Sequence, residues 1–316
     1  MKIPYIVDIK DNSLDDGVGI RSVVFFKGCP LRCVWCQNPE AQKVHQELVF
    51  EAEKCIHCAP SCFVRCPNEA FDYTNMIIHR EKCNLSWNCV ESCPANVFSV
   101  AGKQYDINYL IQRFSSNIIF YQNSNGGVTL SGGEPMLYPE YILNLIHGLR
   151  KESITIAIET CGLFNFDVPS RRIIDQIQYL YFDVKLVDSE KHKQFCGADN
   201  TQILQNLEKL IKEDIVILPK DKTELLKPAV KPYLIPRIPL IPEIVTDPEN
   251  LRDIAQFLRN LNVKMIDLLP YNPLWVKKSN TIGHVGEYNR ETWMTSEEKA
   301  NAAEFFDGFE FDTFNT

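Results

Sequence analysis

The chain has 316 residues, 45% of them apolar, with 33 Lys+Arg set against 41 Asp+Glu for a net charge of −8. A length beyond the usual ~100–200 residues of one domain predicts a single large α/β domain, or that plus a small insert, around a real core. The acidic balance argues against nucleic acid or an acidic membrane surface as the main partner; no apolar run nears the ~20 residues that cross a bilayer and Met1–Lys10 lacks a signal-peptide stretch, so a cytoplasmic location is expected.

In chain order, Arg21–Lys27, with Val23, Val24, Phe25 and Phe26, reads as a buried strand running straight into Gly28 and Cys29. Residues 48–100 hold seven cysteines and almost no helical periodicity, as in a small insert stapled by clusters because its apolar surface is too small. Beyond residue 104 helices are predicted over Ile107–Ser116, Pro139–Lys151, Arg171–Gln178, Thr201–Lys212, Pro248–Leu261 and Glu297–Phe305. Strands are predicted between them at Val128–Leu130, Ile154–Ile158, Tyr179–Val184, Ile215–Leu218 and Met265–Leu269. Repeated β-α units imply a parallel sheet, open or curved toward a barrel, with ligands at the C-terminal strand ends. The boundaries are then 1–47 for the start of the barrel, 48–100 for the insert and 101–316 for the remainder. Pro219–Pro236, rich in Lys and Pro, reads as a solvated loop placed to shape the mouth of the site.

Twelve cysteines in a reducing compartment need an explanation, and ten of them lie between Cys29 and Cys93, which points to metal rather than disulfides. Cys161 and Cys196 stand apart and read as small buried hydrophobes. Cys29, Cys33 and Cys36 are spaced C-x3-C-x2-C on one loop. Three thiolates there hold three corners of a cubane and leave the fourth iron open, as a reactive site requires and an electron-transfer cluster does not. Zinc fits badly, for it usually takes a second Cys or His pair elsewhere.

These three cysteines, with Trp35 before the last, resemble the signature of the radical S-adenosylmethionine superfamily. That resemblance implies that the open iron chelates the amino and carboxylate groups of S-adenosylmethionine and that one electron cleaves its sulfonium bond to a 5′-deoxyadenosyl radical. Over the whole chain the likeness narrows to the glycyl-radical-enzyme activating enzymes, with a partial (β/α)6 barrel and a ferredoxin-like insert. Asp16-Gly17-Val18-Gly19-Ile20-Arg21 resembles that family's D-G-P-G-I-R, with Val18 where Pro is usual, and the resemblance places Asp16 beside the incoming glycine loop. Ser131-Gly132-Gly133-Glu134-Pro135 is similar to the site for the methionine amino group, with Glu134 as the anionic acceptor. Glu159-Thr160 and Asp183-Val184-Lys185 match an acid-Thr pair and a D-x-K that contact the cofactor and are associated with a monovalent cation. Arg237 lies in an R-I-P-L-I-P segment near the cofactor carboxylate, and Asn272 stands where many activases carry a histidine near the adenosine, so a titrating role is lost there.

The insert resembles a two-cluster ferredoxin, whose runs end in C-P and whose fourth Cys ligates the other cluster. Cys55, Cys58, Cys62 and Cys66 form the first run, one residue longer than the pattern, and Cys83, Cys89 and Cys93 the second, with Ser86 in the second position. The swapped scheme gives one cluster Cys55, Cys58, Cys62 and Cys93, and leaves the other only Cys83, Cys89 and Cys66. One or two auxiliary clusters are therefore expected, as an electron route toward the Cys29 loop, a structural staple or a docking element. The implied partners are a glycyl radical enzyme as protein substrate and a flavodoxin or ferredoxin as donor, with the chain a monomer. The rivals are a radical enzyme acting on a small molecule or ribosomal peptide, and a non-catalytic iron–sulfur carrier, which would need a fourth ligand for the loop cluster.

Overall fold

The computed structural model describes residues 2–58, 66–284 and 286–312, and every structural statement below concerns those residues. Cys62 lies outside them. The strands are β1 (Tyr5–Ser13), β2 (Arg21–Phe26), β3 (Glu47–Phe50), β4 (Phe71–Asp72), β5 (Ile77–Ile78), β6 (Phe98–Ala101), β7 (Lys103–Gln104), β8 (Gly127–Gly132), β9 (Thr155–Thr160), β10 (Tyr179–Asp183), β11 (Tyr233–Leu240), β12 (Met265–Pro270) and β13 (Glu310–Phe311). A nine-stranded sheet runs in the order β13-β12-β11-β10-β9-β8-β2-β1-β7. Its centre, β2 and β8 to β12, is six parallel strands, joined by helices that include Pro139–Lys151, Thr201–Lys212 and Pro248–Asn260. This is the expected parallel α/β architecture.

Strand parity separates two faces. Val24, Phe26, Leu130, Ile158, Phe182, Ile238 and Leu268 share one apolar cluster with Leu145, Leu207 and Ile254 of the covering helices. The opposite face carries Arg21, Thr129, Ala157, Tyr179, Tyr181, Tyr233 and Met265, and is concave: the Arg21 guanidinium on β2 lies 5.8 Å from the centre of the Tyr179 ring on β10, with β8 and β9 between them in the sheet. Side chains standing on a flat sheet would not meet over that span, so the sheet curls into a partial barrel. Arg21 is fully buried inside it, donating from Nε to Thr129 Oγ1 (2.6 Å) and from a terminal nitrogen to Val128 O (2.8 Å).

Three elements differ from expectation. Ile215–Leu218 makes a single parallel bridge, Ile217 to Tyr233, and the strand lies instead at Tyr233–Leu240, despite Pro236 and Pro239. Its alternation of inward Tyr233, Ile235 and Arg237 with outward Leu234 and Ile238 outweighs the ladder bonds that two prolines remove. The Pro219–Pro236 stretch is accordingly not a solvated loop at the mouth. It holds a short helix, Lys222–Leu225, whose Leu225 is buried against Tyr179 and Tyr233 at the N-terminal ends of their strands and accepts the Tyr179 hydroxyl at 2.7 Å, so it plugs the end opposite the site. The helix predicted over Arg171–Gln178 runs Val168–Ile174, set by an Asp167 cap, a reciprocal Ser170 bond and a proline in the first turn.

The cysteine-rich insert is closed by the β3–β6 ladder, in register from Glu47–Ala101 to Phe50–Phe98. It has its own small apolar cluster, in which the Phe50, Phe71 and Phe98 rings meet at 5.1–5.5 Å. Arg80, bonded within the insert to Leu48 O at 2.8 Å, ties it to the barrel by donating to Thr281 O at 2.9 Å.

Candidate functional site

At the C-terminal ends of the parallel strands lies a cavity of about 390 Å³. The inward residues that close the strands line it: Phe25 from β2, Ser131 from β8, Glu159 from β9, Asp183 from β10, Arg237 from β11 and Leu269 from β12. Cys29, Cys33, Trp35 and Cys36 line the same cavity from the loop after β2, joined by Asp16, Gly132, Gly133, Thr160, Lys185 and Asn272. Of the candidate cofactor residues, Glu134 alone is absent from the wall.

The cysteine loop is gripped at both ends. Cys29 N donates to Gln42 O (3.0 Å), Glu134 N to Gly28 O (2.7 Å) and Gly133 N to Phe26 O (2.8 Å). Gly132 sits at φ +104°, and a Cβ on either glycine would collide with the backbone of Phe26 or Gly28. The glycines are thus required by the close approach of the loop's own base. On the far side, Arg32 N donates to Cys196 O at 2.7 Å and Val34 N to Phe195 O at 3.0 Å, docking the loop on helix Ser189–Cys196. Trp35 is buried at 3% exposure and fixes the loop in the main core.

Burial pushes the Cys36 thiol up to about 12, and the Cys33 thiol is also raised, chiefly by its hydrogen bond with Cys196 and by burial. Such thiols stay protonated and inert as nucleophiles and lose the proton to a metal. Cys29 is shifted the other way, by a hydrogen bond from Cys161. Among the described residues no set of three Cys, His, Asp or Glu side chains converges on a single ion. Three thiols on one loop beside an open cavity fit three corners of an iron–sulfur cluster with the fourth iron facing the cavity.

Glu134 is fully buried, with Oε1 accepting Met136 N at 3.0 Å and Oε2 accepting Thr160 Oγ1 and Cys161 N, both at 2.8 Å. Burial raises its carboxyl, and these bonds pull it back. Glu159 accepts Ser131 Oγ and pairs with Arg237, whose Nε lies 3.5 Å from Asp267 Oδ2 and has no hydrogen-bond partner. Burial opposes the charge on Arg237, but Glu159, Asp267 and Asp183 together raise its pKa. Lys185 behaves alike, its Nζ 2.8 Å from Asp183 Oδ2. Asp16 accepts Ser13 Oγ at the rim and lies 3.8 Å from Lys10 Nζ. Asn272 Oδ1 accepts Leu274 N at 2.9 Å.

Two site residues were missed in the sequence. Ser131 entered only as the first residue of the segment similar to the methionine amino-group site, with no role of its own. Cys161, read as a buried hydrophobe, lines the cavity beside Cys29. The signal for it was parity: it stands two residues after Glu159 and so faces the same way.

In the insert the cysteines divide between two small cavities. Cys55, Cys58 and Cys93 line one, and Cys66, Cys83, Ser86 and Cys89 line the other. Cys83 also faces a cleft shared with Lys43 and Glu47 of the barrel.

Residues 15–204, more than half of the chain, match a protein-family profile described as a 4Fe-4S single cluster domain. The chain is 34% identical over 318 residues to the trans-4-hydroxy-L-proline dehydratase activating enzyme of Clostridioides difficile, covering 99% of this chain and 98% of that protein. It is 33% identical over 279 residues to the isethionate sulfite-lyase activating enzyme of Oleidesulfovibrio alaskensis, covering 86% of this chain and 84% of that protein. With the choline trimethylamine-lyase activating enzyme of the same organism it shares 33% over 287 residues, 88% of this chain and 86% of that protein. No helix among the described residues is long and apolar enough to cross a membrane.

Proposed function

We propose a role for this chain, which belongs to the glycyl-radical-enzyme activating enzymes of the radical S-adenosylmethionine superfamily: it abstracts a hydrogen from the α-carbon of one glycine in a large partner enzyme. The observation that carries the reading is the single cavity shared by the Cys29, Cys33 and Cys36 loop and the charged strand ends. An iron–sulfur cluster on the three thiolates supplies the electron that cleaves S-adenosylmethionine.

The chain's own residues bind and orient. Arg237, held in place by Glu159, offers its guanidinium at the cavity wall to the cofactor carboxylate. Glu134 does not reach the cofactor ammonium: fully buried behind the wall, it accepts Met136 N, Thr160 Oγ1 and Cys161 N and so steadies Gly133 and Thr160, which do line the cavity. Thr160 and Lys185 fix the carboxylates beside them, Asn272 faces the adenosine as a neutral hydrogen-bonding group, and Asp16 at the rim meets the glycine loop. Trp35, Phe25 and Leu269 keep water from the reacting end. Since Asp183 and Glu159 are already charge-matched by Lys185 and Arg237, the reading leaves out a monovalent cation.

Two auxiliary clusters complete the set, one on Cys55, Cys58, Cys62 and Cys93, the other on Cys66, Cys83 and Cys89 with Ser86 in the fourth place. The division of the described ligands between two cavities supports this partition. Cys83 faces the barrel across a cleft: from it Glu47 lies 3.6 Å from His284 Nε2, and His284 lines a cavity behind Cys33 and Cys36. Electrons from a flavodoxin or ferredoxin pass inward along this line, in a monomeric, cytoplasmic protein.

The test incubates reduced, iron-loaded protein with S-adenosylmethionine and a glycyl radical enzyme, and reads electron paramagnetic resonance. A doublet on the partner that collapses on deuterating the glycine α-carbon is expected. If no glycyl enzyme gains a radical while a small metabolite consumes stoichiometric cofactor, the small-molecule reading replaces this one. Cofactor cleavage also decides against a non-catalytic electron carrier.

A further inference from the structure

Asp16 reaches the cavity through the barrel interior. β1 runs antiparallel to β2, with Ser13 opposite Arg21, so the loop 14–20 leaves the sheet at the N-terminal end of β2, whereas the cavity lies at the C-terminal strand ends. The loop closes that distance by folding up inside the barrel. Val18 packs against the cluster that holds Tyr179, Tyr181 and Leu225, and Gly17 lies so close to Tyr181 that a Cβ on it would stand 3.0 Å from the ring. One side chain anchors the loop there. Thr129 of β8, fully buried, donates from Oγ1 to Asp16 O at 2.8 Å and accepts Arg21 Nε on the same oxygen at 2.6 Å. Arg21 is itself fixed by Val128 O at 2.8 Å and returns to the loop at Val18 O, 3.1 Å away. A guanidinium nitrogen donates and cannot accept, so Arg21 leaves the single hydroxyl proton of Thr129 to the Asp16 carbonyl.

We propose that Thr129 is a positioning residue for the partner's glycine: oriented by Arg21, its hydroxyl holds the Asp16 backbone so that the Asp16 carboxylate stands in the cavity wall where the glycine loop enters. The inference rests on the function proposed above, in which Asp16 meets that loop. A carboxylate accepts hydrogen bonds, so on a glycine segment it takes a backbone N–H, and the anchored Asp16 carbonyl decides where that N–H is held. Hydrogen abstraction from an α-carbon depends on such placement, since a shift of ~1 Å can cost on the order of 10²-fold. Thr129 is not among the residues that line the cavity, so a bound cofactor does not touch it. Its loss is therefore felt through Asp16 and by the protein substrate.

The test takes iron-loaded wild type, Thr129→Val and Thr129→Ser and measures the KM for a peptide copying the glycine loop of the enzyme that the wild type activates, together with 5′-deoxyadenosine release without peptide. Valine matches threonine in shape but neither donates nor accepts, so the KM should rise about tenfold, the worth of one hydrogen bond, with peptide-free release unchanged. Serine keeps the hydroxyl and should stay near wild type. Because Thr129 acts through Asp16, the rise should disappear in an Asp16→Ala background. Hydrogen–deuterium exchange without cofactor or partner should be faster at residues 14–20 in Thr129→Val and not in Thr129→Ser. An unmoved KM, equal effects of Val and Ser, a rise undiminished beside Asp16→Ala, or a matching fall in peptide-free release each overturns the proposal. Should Thr129→Val not fold, Thr129→Cys, a weaker donor of like size, takes its place with the same outcomes. If the wild type activates no glycyl enzyme, the proposed function fails, and unchanged exchange at residues 14–20 in the variant then overturns the Thr129 anchor by itself.

Discussion

Arg237 on β11 pairs with Glu159 at the end of β9, spanning β10 and lying 5.3 Å above the centre of the Tyr181 ring. Side chains of β9, β10, β11 and β12 at this level all face inward, so one guanidinium is set among Glu159, Asp183 and Asp267. Burial of a charge is tolerated here because its partners are buried with it.

Removing one member of that pair should therefore be costly. Glu159→Gln or Arg237→Met alone is expected to destabilise by about 3 kcal/mol and to weaken cofactor binding, because an uncompensated charge remains inside. The double variant should recover at least about 1 kcal/mol relative to the sum of the singles. Urea unfolding of the four proteins measures this, and simple additivity would show that the pair is not coupled.

At the opposite end of the barrel Asp312 is pushed up to about 6, by burial first and then by Asp267. The folded state thus holds this proton more tightly than the unfolded chain, where Asp titrates near ~3.9. The stabilisation is fully present below ~3.9 and is lost as pH rises through about 6, on the order of 3 kcal/mol across that window. Asp312→Asn should flatten the slope between pH 4 and pH 7 and leave the variant the more stable protein above pH 6. Parallel pH profiles for the two proteins would refute the assignment.

Ser86 shares a cavity with Cys66, Cys83 and Cys89, where a hydroxyl is a poorer iron ligand than a thiolate. Ser86→Cys should add about one iron per chain if the native site is a three-iron cluster, or about four if it is empty. A wild type that already holds about twelve irons, with Ser86→Ala unchanged in iron and spectra, would mean that another residue supplies the ligand.

The sequence made the strand-end chemistry legible because each motif closes a strong apolar strand: Ser131, Gly132 and Gly133, Glu159 and Thr160, and Asp183 and Lys185 all arrive at one cavity, whereas Glu134 is buried behind it. The Pro219–Pro236 stretch was misread because its prolines and lysines mask Tyr233 and Ile235, whose inward packing is a tertiary effect invisible to composition. Cys161 and Cys196, read as small buried residues, are buried at 7% and 0% exposure, and only Cys161 also reaches the cavity wall. Which buried residue also borders a cavity is decided by elements far apart in the chain, here the Cys29 loop and the end of β9.

The central claim is that the Cys29 loop cleaves S-adenosylmethionine. Release of 5′-deoxyadenosine by the reduced, iron-loaded protein measures it most directly. The wild type should release it, and Cys29→Ala, Cys33→Ala and Cys36→Ala should each fall to background while iron bound by the insert stays. Undiminished release in all three variants would contradict the account.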